Sequence, residues 1–348
     1  MKIGLMSFAH VHAAGYAALL SGRPGVELRA SDPDHERRPE GESGGAAMAD
    51  ALGVDYLDSY QALLDWGPDA VIVCAENARH RPLVEAAAAA GAHVLCEKPI
   101  ATTLEDAAAM ITACEQAGVA LMMAYPVHFS TAYAALRAVV DSGRLGSVLA
   151  AVGTNNGRIP LDSRGWFVDP ELAGGGALVD HTVHLAELLD DLLGHRSPVS
   201  VYATTNQVLH ADEVRTETGG LLSLEYVDTP LGDRVTATLD CSWSKPDSFP
   251  TWGGLSLQLV GTGGIAEMDA FGQRVDGHSE RTRNGLWLPY GGNPDAALLA
   301  EFTDAVRGRR RPQPDGWVGY RTLQVVEAAQ RSAASGQPTT VRDVLAVG

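Results

Sequence analysis

The chain has no apolar run of the ~20 residues that a membrane-spanning helix requires. Its longest, Leu83–Gly91 and Ile3–Ala9, are far shorter. It also lacks a basic field: 26 basic residues face 43 acidic ones, for a net charge of −17. That balance argues against nucleic acid or an anionic membrane surface as a partner. The one basic run, Arg309–Arg310–Arg311, follows a helical pattern and reads as a solvated loop. There are four cysteines, at 74, 96, 114 and 241, and no C-x-x-C pair. Free buried thiols fit better than disulfides or a zinc site. The N-terminus MKIGLMSF does not show a charged leader, apolar run and small-residue cleavage site, so the expected location is cytoplasmic. Lysine is scarce: only Lys2, Lys98 and Lys245 among 26 basic residues. Where arginine supplies nearly every positive charge, a retained lysine suggests work that needs a proton to be given up.

With 348 residues, the chain is longer than one core usually holds. Over its first 120 residues or so, short apolar strands alternate with helical stretches. Strands are expected at Lys2–Met6, Val26–Ala30, Val54–Leu57, Ala70–Ala75, His93–Cys96 and Ala120–Ala124. Helices are expected at Ala13–Leu20, Ala46–Leu52, Tyr60–Leu64, Arg81–Ala90 and Leu104–Ala117. This rhythm implies βαβ units and a parallel sheet. After about Tyr125 it changes to strands with turn signals, interrupted by helices at Ala132–Ser142 and Ala177–Leu193 and closed by Ala296–Arg307 and Gly319–Ala334. The fold class is therefore α/β, with an N-terminal doubly wound domain (1–123) and a C-terminal α+β domain (124–348) whose sheet is mainly antiparallel.

In such a fold the turn after the first strand receives a dinucleotide pyrophosphate. Here the expected glycines fall at Ser7, Ala9 and His12, and none is Gly. His10 and His12 contribute to this loop either as phosphate donors or as packing. Asp32, at the end of the second strand, is placed to accept from an adenosine ribose diol, which favours NAD. Arg37 and Arg38 leave NADP open. Glu76, Asn77 and His80 follow a later strand and should line the nicotinamide side, His80 having an equally good reading as a structural residue.

Two elements carry chemistry. Cys96-Glu97-Lys98-Pro99 joins a strand to a helix, with Glu97 able to hold the Lys98 ammonium or a ribose hydroxyl. Gly174-Gly175-Gly176 opens a largely apolar helix on which Asp180 and His184 share one face at i, i+4. Buried polar groups on such a helix need partners. His181 and His184 have no third ligand at suitable spacing, so no metal is expected.

SDPD at 31–34, AENARH at 75–80, AGAHVLCEKPIA at 90–101, GGGALVDHTVH at 174–184 and EAAQRSAASGQP at 327–338 together resemble the Gfo/Idh/MocA family of nicotinamide-dependent oxidoreductases. The resemblance implies a Rossmann-type domain and an open-faced sheet domain, with the C-terminal helices packing back on the first. It implies NAD or NADP as cofactor and a sugar, inositol or related polyol as substrate. It also implies a homo-oligomer, dimer or tetramer, and Lys98, Asp180 and His184 as the catalytic set. His184 would take the hydroxyl proton, Lys98 would stabilise alkoxide charge and Asp180 would orient His184 or meet a substrate hydroxyl. Tyr125, His128, Arg158, Trp166 and His181 are candidate substrate contacts. Two other activities remain: redox-neutral glycoside cleavage by transient ring oxidation and elimination, and non-catalytic sensing of a sugar or nucleotide.

Overall fold

The computed structural model describes residues 1–344 apart from 40, 162, 163 and 282. The N-terminal part contains strands β1 (Lys2–Met6), β2 (Glu27–Ser31), β3 (Asp55–Tyr56), β4 (Ala70–Val73), β5 (His93–Glu97) and β6 (Leu121–Ala124). Between them lie helices α1 (His12–Leu20), α2 (Gly45–Leu52), α3 (Tyr60–Asp65), α4 (His80–Ala89) and α5 (Leu104–Ala117). All six strands pair in parallel in the order β3-β2-β1-β4-β5-β6. The order reverses between β1 and β4, so the crevice for a ligand lies beyond the carboxyl ends of those strands. Helix α5 shows why local sequence suffices here. The Thr103 side chain accepts from Asp106 N, Glu105 and Asp106 sit in the first turn, and Gly118 ends the helix at φ 69°.

After β6 come α6 (Thr131–Asp141), β7 (Val148–Gly157), α7 (Pro170–Ala173) and α8 (Ala177–Leu192). Then follow β8 (Ser200–Asn206), β9 (Gly219–Thr229), β10 (Gly232–Ser242), β11 (Gly253–Gly261) and β12 (Gly264–Asp269). The second sheet has the order β12-β11-β7-β10-β9-β8. It is antiparallel except for β7 and β10, which run parallel from Ala150 and Thr236 to Asn156 and Ser242. Strand-by-strand patterning does not report direction, so this exception is invisible until α8 is seen to carry the chain across the sheet. Its inner face, with Leu222, Leu224, Leu239 and Leu257, is buried. Its outer face leaves Leu149, Val152, Leu221 and Ile265 exposed.

One hairpin, β13 (Arg274–Ser279) with β14 (Asn284–Pro289), escapes the sequence reading. Neither of its faces is buried, so no alternation marks it. The chain closes with α9 (Pro294–Gly308) and α10 (Gly316–Ser335). Helix α10 covers α8 and β8, whereas α9 returns to α1. Leu298, Leu299 and Phe302 join Ile3, Leu5, Tyr16, Ile72 and Met122 in one buried cluster on one face of the parallel sheet. Phe302 is fully buried there. Phe302→Ala is expected to cost about 3–5 kcal/mol of stability, read as a lower urea midpoint with unchanged slope.

Candidate active site

The parallel sheet and α8 meet where β5 ends. The three glycines before α8 make that approach possible. Gly174 sits at φ 85°, and a Cβ on Gly176 would overlap the Glu217 carbonyl. Glu217 then seals the helix start, its carboxylate accepting from Gly176 N at 2.7 Å and its carbonyl from Ala177 N at 2.9 Å. With α8 so placed, Lys98 Nζ lies 2.7 Å from Asp180 Oδ1. The other carboxylate oxygen, Oδ2, accepts from Trp243 Nε1 at 3.3 Å and lies 3.2 Å from His181 Nε2. His181 is anchored in turn by donating from Nδ1 to the Asn155 carbonyl at 2.8 Å.

Burial pushes the Asp180 carboxyl up, but Lys98 and His181 outweigh it and hold it well below its usual range. His184, one helical turn on, is lowered well below its ordinary value by burial and then by the Lys98 charge. It therefore stands neutral at neutral pH, and its Nδ1 has no partner among the described residues. Asp180 spends both oxygens on Lys98, His181 and Trp243, so its partner is the lysine rather than the histidine. The same face of α8 continues as a polar seam. Glu187 Oε1 lies 2.6 Å from His128 Nδ1, and Asp191 accepts from Tyr133 and Arg137.

The nucleotide-binding end is tightly tied. Ser7 adopts φ 73°, and Ser7 Oγ accepts from Ala9 N at 3.1 Å and from Arg38 Nη2 at 2.8 Å. Asp32 is fully buried, its carboxylate accepting from Ser7 Oγ, Arg38 and Gly45 N. Arg38 Nε also donates to Glu76 Oε1 at 3.3 Å, so this one guanidinium bridges the ends of β1, β2 and β4. Glu97 is fully buried as well. It does not hold the Lys98 ammonium: Oε1 lies 3.0 Å from His12 Nδ1 and 3.6 Å from His10 Nδ1, while Oε2 accepts from Lys98 N at 3.3 Å. Burial raises its carboxyl, yet the two imidazoles and Lys98 keep it well below the usual carboxylate range. His12 is raised by Glu97 against the pull of burial, whereas burial lowers His10 to about 3. His10 is thus neutral, with its ring 5.4 Å from that of Phe167.

Other candidates take different places. His80 is buried with carbonyls of Pro99, Ile100 and Ala75 about its ring, a clasp on the turn after Lys98. Asn77 donates to the Ala173 carbonyl, leaving Oδ1 without a partner among the described residues. The Tyr125 ring stands nearly perpendicular to that of His184, 6.0 Å between centroids, and its hydroxyl bonds that of Thr322. Trp166 packs on the β1–α1 turn, donating to the Ala9 carbonyl at 3.0 Å beside Arg164, which donates to the same oxygen. Arg158 donates to the Asp247 carbonyl from a half-exposed position. Asn155 was not among the sequence candidates, Arg38 was read only as leaving NADP open, and Trp243 only as a possible substrate contact. The one prior signal for Trp243 is an aromatic followed by a rare lysine just after a strand.

A nicotinamide dinucleotide fits this donor set. Buried polar atoms without partners among the described residues, Asn77 Oδ1 after β4, His10 Nε2 in the β1–α1 turn and His184 Nδ1 on α8, are open to such a group. Comparison with known proteins agrees. Residues 33–125 match the profile of the oxidoreductase family with NAD-binding Rossmann fold, and residues 133–267 match the GFO/IDH/MocA C-terminal domain. A 1,5-anhydro-D-fructose reductase from Ensifer adhaerens is 30% identical over 302 residues, covering 85% of this chain and 87% of that protein. A D-apiose dehydrogenase from Paraburkholderia graminis is 26% identical, covering 86% and 80%. Among solved structures, GenD2 from gentamicin A biosynthesis, in complex with NAD, superposes with a TM-score of 0.84 at 23% identity over 99% of this chain and 97% of its own.

His184 takes up a proton on unfolding whenever the pH is below 6.5, because its folded pKa lies lower. The native state therefore loses stability as pH falls through that value, by up to about 1.4 kcal/mol per pH unit for one such group. His184→Asn is expected to flatten the loss between pH 6.5 and 4.5, measured by urea unfolding across that range. The sequence motifs, the two sheets and these relatives lead to one assignment: the chain belongs to the Gfo/Idh/MocA family of oxidoreductases, with its NAD-binding Rossmann fold.

Proposed function

We propose that Lys98 and His184 carry the proton chemistry of a hydride transfer between NAD(P) and a secondary alcohol of a sugar, inositol or related polyol, with Asp180 positioning the lysine. The observation that carries this reading is the 2.7 Å pair joining Lys98, at the end of β5, to Asp180 on α8. The Lys98 charge also acts on His184, a neutral imidazole that has a nitrogen without a partner among the described residues. Bound nicotinamide accepts or donates the hydride. Ser7, Ala9 and Asn77 would hold the cofactor, with Asp32 engaged by Arg38, Ser7 and Gly45 N.

Lys98 donates to the substrate oxygen and stabilises negative charge as it develops there. His184 takes the hydroxyl proton on oxidation and returns it on reduction. Asp180, itself fixed by Trp243 and His181, keeps the ammonium aimed. Lys98 is 5% and His184 7% exposed, so the site excludes most water and strengthens these interactions. The exposed apolar face of the second sheet supports a homo-oligomer, to be read as a sedimentation mass above one chain. The four buried free thiols accord with a cytoplasmic location.

The test is NADH formation with a panel of sugars and polyols. Lys98→Met and His184→Asn are each expected to lower kcat by about 10²–10⁴-fold while NAD still binds. Sugar product formed without NADH, or equal turnover in both variants, would defeat the assignment. Arg38 bears on cofactor choice. Removing its guanidinium in Arg38→Ala frees Asp32 for the ribose diol, so the ratio of NADP to NAD dissociation constants should rise, as titrated by protein fluorescence.

A further inference from the structure

We propose that His10, His12 and Glu97 form a binding site for one divalent transition-metal ion of the zinc class. The three ligand atoms lie within 4.8 Å of one another. An ion with bonds of about 2.0–2.2 Å in tetrahedral geometry sets its ligand atoms ~3.4 Å apart. The separations from Glu97 Oε1 bracket that distance: 3.0 Å to His12 Nδ1 and 3.6 Å to His10 Nδ1. Two imidazoles and one carboxylate are a donor set for zinc, and with three protein ligands one position stays open to a water or an alcohol oxygen.

The surroundings favour an ion. Glu97 is fully buried, and the nearest ammonium, Lys98, is spent on Asp180. His10 is 2% exposed, with its imidazole held against Glu97 away from water. Asp295 Oδ1 is likewise buried and without a hydrogen-bond partner there, with its charge acting on both His12 and Glu97. The ion would replace the 3.0 Å hydrogen bond between His12 Nδ1 and Glu97 Oε1; the other contacts on these rings are longer, His12 N reaching His10 Nδ1 at 3.3 Å and the Tyr16 hydroxyl standing 3.4 Å from His12 Nδ1. His10 lies in the β1–α1 turn and His12 opens α1, both ahead of residue 33 where the family match begins. The ion thus stands where this chain has imidazoles in place of the glycine pattern, and it does not depend on the assignment of Lys98 and His184.

The experiment uses full-length protein stripped of metal by a chelator and titrated with Co²⁺ alone, without NAD. The expected result is visible ligand-field absorption that saturates at one ion per chain and is bleached by Zn²⁺. His12→Gln and Glu97→Gln should each weaken binding at least tenfold. His93→Gln, at the opposite end of β5, should leave it unchanged. Circular dichroism checks folding, and His10→Asn replaces any variant that does not fold. Absence of the bands, or bands that persist in the folded ligand variants, overturns the site. NAD titration of the same protein reads the dinucleotide fold separately, so loss of one result does not mimic loss of the other.

Discussion

The contact between Lys98 and Asp180 couples the two halves of the molecule. Lys98 comes from the carboxyl end of a parallel strand, and Asp180 from the first turn of a helix belonging to the other sheet. Neither charge tolerates burial alone, because an unpaired buried ion costs several kcal/mol. The pair therefore constrains everything that sets the approach of α8. That includes the glycine run that lets the helix start against Glu217, and the indole and imidazole that absorb the second carboxylate oxygen. Lysine brings a compact charge to this position, where its ammonium meets one carboxylate oxygen.

Most of the scaffold was legible because period and punctuation agree with the final packing. Leu104–Ala117 is a helix by both its sequence signals and its observed bounds, with Thr103 and Gly118 at its ends. The spacing of Asp180 and His184 also reported correctly that they share a face. What could not be read was the identity of partners. Nothing local shows that Trp243 would reach Asp180, that Arg38 would engage Asp32, or that Glu97 would turn to His12 rather than to its neighbour Lys98. These are long-range choices fixed by how the two sheets dock. The β13–β14 hairpin was hidden for the opposite reason: it buries too little to leave a pattern.

The nucleotide turn shows how a fold keeps its geometry after losing its usual residues. Ser7 takes the left-handed conformation that glycine adopts freely. Its hydroxyl offsets the cost by bonding Ala9 N, Arg38 and Asp32 at once. The carbonyls of the turn are then covered from the other half of the chain by Arg164 and Trp166. The result is a turn stiffened by side chains rather than by backbone freedom.

The return of α9 to the first core has a consequence for biosynthesis. Leu298, Leu299 and Phe302 cover a face of the sheet that begins with Ile3 and Leu5. A nascent chain emerging from the ribosome displays that oily surface until residue 302 follows, long after all six parallel strands exist. Folding of the first part alone during synthesis is thus left unfinished until α9 arrives.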